Sequence, residues 1–284
     1  MINKVDIITK ASGMQVPFSV KKLRTSLQRS GANNDLIVSI ITEVKKQLYP
    51  GITTKKIYKL AHALLKKVSK PTAARYTLKN AIMELGPSGF PFERYFSEIL
   101  QHQGYSVRVG EIVEGRCVKH EIDVIAEKEN HYLMIECKYH NLAGISCDVK
   151  IPLYIHSRFL DVEYSWKLLP GHESKLHQGW VVTNTRFTED AKQYATCAGL
   201  HLVGWDYPLV DNLKNMIDRS GLYPITCLTS LTRVEKQHLL NNNVVLCKDI
   251  IAQPTLLAIG FIAESRVANI MDEVSSLCRV VSTK

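Results

Sequence analysis

The chain has 284 residues, enough for two or more domains, and its 45% hydrophobic and 22% charged content is that of an ordinary globular protein. The longest uncharged apolar run, Leu256 to Ala263, is far too short for a membrane span, and the stretch from Lys4 to Lys10 lacks the apolar core of a signal peptide. A cytoplasmic protein with no membrane partner is therefore expected. The seven cysteines are odd in number and form no Cys-x-x-Cys pair, which argues against a zinc ribbon and against a disulfide framework.

The net charge of +9 is unevenly spread. Residues 1–87 hold 16 Lys+Arg against 4 Asp+Glu, whereas residues 88–284 hold 20 against 23. A first third this basic suits a polyanionic partner, either nucleic acid or nucleotide phosphates. A well-solvated helical surface explains the same charge equally well.

Three segments follow in order. In residues 1–87, Val5 to Ile8 and Gln15 to Phe18 read as short strands around a turn at Ser12-Gly13. Ser19, the Asn33-Asn34-Asp35 stretch and Thr53 or Thr54 supply N-caps for three helices, and Pro71-Thr72 opens a fourth that ends near Gly86-Pro87. Residues 88–210 begin with a helix, Pro91 to His102. Strands follow at Tyr105 to Val113, Val118 to Lys128 and His131 to Tyr139, then a helix at Ile151 to Lys167. A strand at Gly179 to Thr183, a helix at Thr188 to Ala198 and a strand at Leu200 to Trp205 complete the segment. The order αβββαβαβ predicts a mixed sheet with helices on both faces. Residues 211–284 read as helical, with Leu228 to Asn241 and Thr255 to Cys278 as the longest candidates.

The chemistry concentrates at one hairpin. If Glu129-Asn130 is its loop, Asp123 lies opposite Glu136, and Lys138 shares their face because side chains two apart on a strand do so. Paired carboxylates repel one another unless a cation is shared, and a hard divalent ion suits their oxygens. Lys138 is placed to act on a water or on charge building on a phosphate, so the trio is equipped for metal-assisted phosphodiester hydrolysis. The bland alternative is an Asp123–Lys138 ion pair on a wet face. The strongly apolar strands on either side favour the functional reading.

The spacing of Asp123 from Glu136-Cys137-Lys138 resembles the Asp…Asp/Glu-x-Lys signature of restriction-endonuclease-like nucleases, and most closely the Mrr-type restriction endonucleases. The likeness extends to Gly89-Phe90-Pro91-Phe92-Glu93, His120-Glu121-Ile122-Asp123 and Trp180 to Thr188 with Ala191 and Tyr194-Ala195. It implies an Mg²⁺- or Mn²⁺-dependent endonuclease on double-stranded DNA. Glu93, Asp123, Glu136 and the Cys137 carbonyl would hold the metal, and Lys138 would act beside it. A homodimer would supply the two sites that cutting both strands needs. Glu121 is a supporting candidate. His120, His140 and Lys150 are weaker ones, better explained as surface or capping groups.

Residues 5–81 resemble an ATP-cone, through Ile8-Thr9-Lys10-Ala11-Ser12-Gly13, Val16-Pro17-Phe18, Lys22-Leu23 and Ala73-Ala74-Arg75-Tyr76. That resemblance implies ATP or dATP as an effector. Lys10, Gly13, Lys21 and Lys22 are the candidates to meet its phosphates, and Phe18 belongs to the core. Tyr223 to Val245 resembles a helix-hairpin-helix unit, with a plain packing or dimerisation role as the alternative. The fold class expected is thus multidomain α/β and α: an ATP-cone at 1–87, a nuclease-like mixed sheet at 88–210 and a helical subdomain at 211–284. The competing functions are a nucleotide-responsive DNA-binding regulator with an inactive nuclease fold, and a Holliday-junction or repair nuclease.

Overall fold

The computed structural model describes residues 7–10, 12–142 and 144–278. Val5, where the first strand was expected to begin, and Ala11 of the first turn lie outside them. The described residues form two compact units. One runs up to Ala81 and resumes at Tyr223; the other is Ile82–Leu222.

The first unit opens with β1 (Ile7–Thr9), β2 (Gln15–Pro17), α1 (Val20–Arg29), α2 (Asn34–Lys46), β3 (Ile52–Thr53), α3 (Thr54–Val68), α4 (Lys70–Tyr76) and α5 (Leu78–Ile82). β1 pairs antiparallel with β2 and parallel with β3. The expected caps are in place: Ser19, Asn33 and Thr53 each accept the amide three residues on, from Lys22, Leu36 and Lys56. The fourth expected helix divides into α4 and α5. Its cap is Ser69, and the Thr77 hydroxyl donates to the Ala74 carbonyl where α4 stops. Leu27, Ile37, Val44, Ala61 and Leu65 are fully buried in the core beneath these helices.

The second unit contains α6 (Phe90–His102), β4 (Ser106–Glu114), β5 (Lys119–Lys128), β6 (His131–Lys138), β7 (Ser146–Cys147), α7 (Lys150–Trp166), β8 (Leu176–Thr183), β9 (Arg186–Phe187), α8 (Glu189–Cys197), β10 (His201–Val203) and α9 (Leu213–Ser220). The five-stranded sheet has the order β10-β8-β6-β5-β4. β4, β5 and β6 form an antiparallel meander, while β6, β8 and β10 are parallel. The sheet is therefore mixed, as the αβββαβαβ order predicts. Ile155, Phe159, Val162 and Trp166 of α7 and Ala191 and Ala195 of α8 pack on one side, against Met134, Val181 and Leu202. The alternate β6 residues Leu133, Ile135 and Cys137 are also buried, as an interior strand covered on both faces requires. The two-residue strands β7 and β9 pair with each other and were too short to show a period.

The segment from Tyr223 adds α10 (Arg233–Asn241), α11 (Cys247–Ala252) and α12 (Glu264–Cys278), with 3-10 turns at Ile225–Cys227 and Pro254–Gly260. Both long helices expected here are shorter. Thr232 and Glu235 form a capping box that starts α10 at Arg233, and Phe261 adopts a left-handed φ of 55° that ends the helical run before α12.

Both boundaries drawn from the sequence move. Residues 82–87 pack with the central sheet, because the Tyr139 hydroxyl donates to the Met83 carbonyl and accepts the Gly86 amide. Residues 211–222 do so because Leu213, Met216 and Ile217 of α9 are buried and the Tyr95 hydroxyl donates to the Leu222 carbonyl at 2.6 Å. The helical segment is not a free-standing subdomain. The Thr226 hydroxyl donates to the Ala81 carbonyl, Arg75 to the Leu277 carbonyl and Lys70 to Asn269, and these bonds join it to the cone helices.

Buried Glu273 on α12 accepts three hydrogen bonds, from the Thr229 amide, the Thr229 hydroxyl and the Ser230 amide. Glu273→Ala strands the part-buried Thr229 and Ser230 amides, so urea unfolding should show a loss of roughly 1–3 kcal/mol. A loss below about 0.5 kcal/mol would contradict this account.

Candidate functional site

Asp123 lies where β5 loses its ladder partners. The pairing of β4 with β5 passes from Val109↔Val124 to Glu111↔Ile122 without a Gly110–Asp123 pair, and Gly110 has a φ of +68° that a side chain would strain. The predicted turn is present, with Glu129 at φ 52°, and the β5–β6 register runs from Lys128↔His131 to Val124↔Ile135. It stops one pair short of Asp123 and Glu136. There the Asp123 carboxylate replaces a main-chain partner by accepting the Cys137 amide at 2.7 Å.

Glu136 is 5% exposed, and both its oxygens are engaged. Lys138 Nζ donates to Oε1 at 2.6 Å and Arg158 Nη1 to Oε2 at 2.6 Å. Lys138 thus pairs with Glu136 and not with Asp123. The second arginine donor, Nη2, bonds the Glu121 carbonyl and so ties α7 to β5. The Lys138 main chain is held in turn by the Thr183 hydroxyl, and Asn184 bonds both the amide and the carbonyl of His140. The Trp180 to Thr188 stretch therefore supports the site through buried polar side chains. Arg158 was not among the sequence candidates. Its helix carried only helical periodicity, and the partner that gives it meaning is 22 positions away.

Glu93, in the first turn of α6, completes the cluster. A side chain at Gly89 would meet its Oε1 at 3.0 Å, so the small residue leaves it room. Burial, then the charges of Asp123, Glu136 and Glu121, push the Glu93 carboxyl up to about 7. Burial and then Glu136 push Asp123 up to about 6, opposed by the Cys137 amide, Lys138 and Arg158. Burial pulls the Lys138 ammonium down, but the Glu136 hydrogen bond and the Glu136 and Asp123 charges outweigh it and hold Lys138 above the usual lysine value. Burial pushes the Cys137 thiol well up, so it stays protonated and only its main chain serves the site.

Three carboxylates thus share two cations, and both cations are spent on Glu136. Glu93 and Asp123 have no ion-pair partner among the described residues. The shortfall of positive charge and the all-oxygen donor set fit a hard divalent cation. Among the described residues no three His, Cys, Asp or Glu side chains are yet gathered at metal-binding distances, because Glu136 is turned onto Lys138 and Arg158.

The weaker candidates fall outside this cluster. His120 bonds Asp161 of α7 at 2.8 Å, and Asp161 also accepts the Cys117 and Val118 amides of the β4–β5 turn. His140 approaches the Cys147 thiol at 3.3 Å. Lys150 is exposed at the start of α7. Glu121 is exposed beside Asp123, close enough for its charge to act on Glu93.

The first unit has a cavity of about 220 Å³. Lys10, Lys22, Phe18, Tyr58 and Tyr76 line it, together with Ile8, Val16, Ser26 and Ile57. The Tyr58 and Tyr76 rings stack at 5.1 Å. Gly13 and Lys21 do not line it. Gly13 turns the β1–β2 hairpin at φ +79°, with its amide on the Lys10 carbonyl, and Lys21 is exposed on α1. Phe18 belongs partly to the core and partly to this wall. Tyr58 had no local motif to mark it.

The raised carboxyls carry a sign that can be tested without any ligand. A carboxyl whose folded value exceeds its unfolded one stabilises the fold while protonated, and that stability is lost as pH rises through the folded value. For Glu93 the window runs from about 4.5 to about 7. In chelator, Glu93→Gln should match the parent below pH 4.5 and melt a few degrees higher at pH 8. Thermal melts showing the variant equal or lower at pH 8 would contradict the crowding of charge at this cluster.

Comparison with known proteins matches the boundaries of the first unit. Residues 6–80 match the ATP cone domain, and residues 223–278 match the AF1548-like C-terminal region. An uncharacterized protein of Archaeoglobus fulgidus is 37% identical over 159 residues, covering 55% of this chain and 83% of that protein. The crystal structure of AF1548, a protein of unknown function, is similar at a TM-score of 0.55 and 32% identity, covering 67% of this chain and 98% of that one. The chain belongs to the AF1548-like family and carries an ATP cone in its N-terminal part.

Proposed function

We propose that the central unit hydrolyses phosphodiester bonds of DNA with Mg²⁺ or Mn²⁺, and that the cone binds ATP or dATP as an effector. Both relatives are uncharacterized or of unknown function, so this reading rests on the side chains. The observation that carries it is that Glu93, Asp123 and Glu136 feel one another's charge at a buried site beside Lys138, although burial and mutual repulsion oppose it. A cluster with no function to serve would be expected to relieve such crowding. The motifs shared with Mrr-type restriction endonucleases support the same chemistry.

The residues that would hold the cation are Glu93, Asp123, Glu136 and the Cys137 carbonyl. When bound, the cation polarises the phosphate and eases deprotonation of water. Lys138 carries a full positive charge beside Glu136, so its part is to stabilise charge growing on the phosphate rather than to remove a proton. Asp123 is fixed by the Cys137 amide and needs no ordering as the reaction begins, whereas Glu136 would turn from Lys138 and Arg158 toward the cation. Cutting both strands of a duplex would draw on two copies of the chain.

In the cone, Lys10 and Lys22 provide charge for phosphates, and the stacked Tyr58–Tyr76 pair with Phe18 provides an apolar wall for a base. Nucleotide in this pocket would act as a regulator of the hydrolytic unit. The double engagement of Glu136 favours one competing reading, a DNA-binding protein without cleavage.

Plasmid or circular single-stranded DNA incubated with Mg²⁺ should be cut. Asp123→Asn and Lys138→Met should each lower the rate at least about a hundredfold while circular dichroism stays unchanged. Metal-dependent cutting retained by either variant refutes the site assignment. Calorimetric titration should show ATP binding, weakened about tenfold by Lys22→Glu or Tyr58→Ala, as expected from about 1.4 kcal/mol per lost contact. Cleavage rates equal with ATP, with dATP and with neither would sink the proposed regulation.

A further inference from the structure

One face of α7 runs past the carboxylate cluster and presents aromatic rings to solvent. Tyr154 is 59% exposed and Tyr164 49% exposed. Each ring has a guanidinium over it: Arg158 lies 5.5 Å from the Tyr154 centroid and Arg116 lies 4.7 Å from that of Tyr164. Arg158 is the same group that bonds Glu136, so the Tyr154 ring is one side chain removed from the site. Arg116 belongs to the β4–β5 turn, whose amides are tied to Asp161 one helical turn before Tyr164. Arg116 is exposed and has no ion pair to a carboxylate among the described residues. Tyr154 and Tyr164 are ten residues apart, about 15 Å along the helix, a span that two or three nucleotides of an extended strand would cover.

We propose that this face of α7 is a stacking platform for unpaired bases, which seats a single strand so that its phosphate enters the Glu93, Asp123 and Glu136 cluster. The proposal rests on the phosphodiesterase reading of that cluster and specifies its substrate. A nucleobase presents a flat π face that an exposed tyrosine can cover, and Arg116 against the Tyr164 ring adds attraction for the polyanion, since Arg158 at Tyr154 is already paired with Glu136. Bases in an intact duplex are stacked on each other and offer no such face. The platform therefore selects single-stranded tracts, flaps or the open strands of a junction. A protein partner is less suited to it, because an unpaired arginine beside an aromatic ring matches a phosphate chain better than an apolar surface.

The experiment uses the full-length Asp123→Asn protein in chelator, with fluorescence anisotropy of a labelled single strand and of the matching duplex at one salt concentration. The single strand should bind more tightly than the duplex. Tyr154→Ala and Tyr164→Ala should each weaken single-strand binding by about fivefold to a hundredfold and leave duplex binding unchanged, with Tyr154→Trp restoring it. Equal effects on both substrates, or no effect, overturn the platform. Tyrosine variants that turn a dimer into a monomer in sedimentation, with DNA affinity unchanged, assign the face to self-association and also overturn it. Tyrosine-dependent single-strand binding in a parent protein that cuts nothing with Mg²⁺ would support the platform and remove the hydrolytic reading, so the two failures are distinguishable.

Discussion

A carboxylate taken out of water must be neutralised, and Glu136 is where the central unit meets that demand. Lys138 comes from its own strand and Arg158 from the helix that covers the sheet. The arginine spans β6, β5 and α7 in one side chain, and the Thr183 hydroxyl holds the Lys138 main chain from β8. Three strands and the middle of one helix are thus fixed around a single buried charge. Removing one partner of such a group costs more than the pair contributes, because the other is left buried and uncompensated. Asp123 and Glu93 lie beside this arrangement and share none of its cations. That asymmetry, one satisfied carboxylate and two crowded ones, is the ground on which a cation is proposed for the cluster.

The hairpin arithmetic was legible because strand periodicity is strict. Once Glu129-Asn130 is placed as the loop, Asp123 and Glu136 must approach one another, and Lys138 must share their face. Ser19 was legible as a cap for an equally local reason, and the caps at Asn33 and Thr53 were legible to within a residue or two. Arg158 was not, since a helix leaves one charged residue looking like any other on a solvated face until its packing partner is known. The departure of β5 from both neighbours at Asp123 was invisible too, because Gly110 reads as an ordinary strand glycine. The short parallel partners β3, β7 and β9 have too few residues to show alternation.

The cone shows the same limit. Lys10 and Lys22 stand next to turn and cap signals and could be named from sequence, whereas Tyr58 enters the cavity from α3 and Tyr76 from α4, each by tertiary packing. Gly13 and Lys21 carry the local signature without reaching the cavity, because a sequence neighbour on a helix or a turn need not share its direction. The strong positive charge of the first segment is accounted for only in part by this cavity. Most of its lysines are exposed along α1, α2 and α3.

The unit that houses the cone is assembled from the two ends of the chain. Arg75 meets the Leu277 carbonyl across 202 positions, and Thr226 meets that of Ala81 across 145. During synthesis the cone helices emerge well before their partners on α12, which follow about two hundred positions later. Until then the sheet-bearing middle can fold, but the first-made helices must wait with part of their packing surface uncovered. High sequence separation of this kind slows folding and lengthens exposure to aggregation. The order of translation therefore sets a delay between the moment the cone is made and the moment it can be complete.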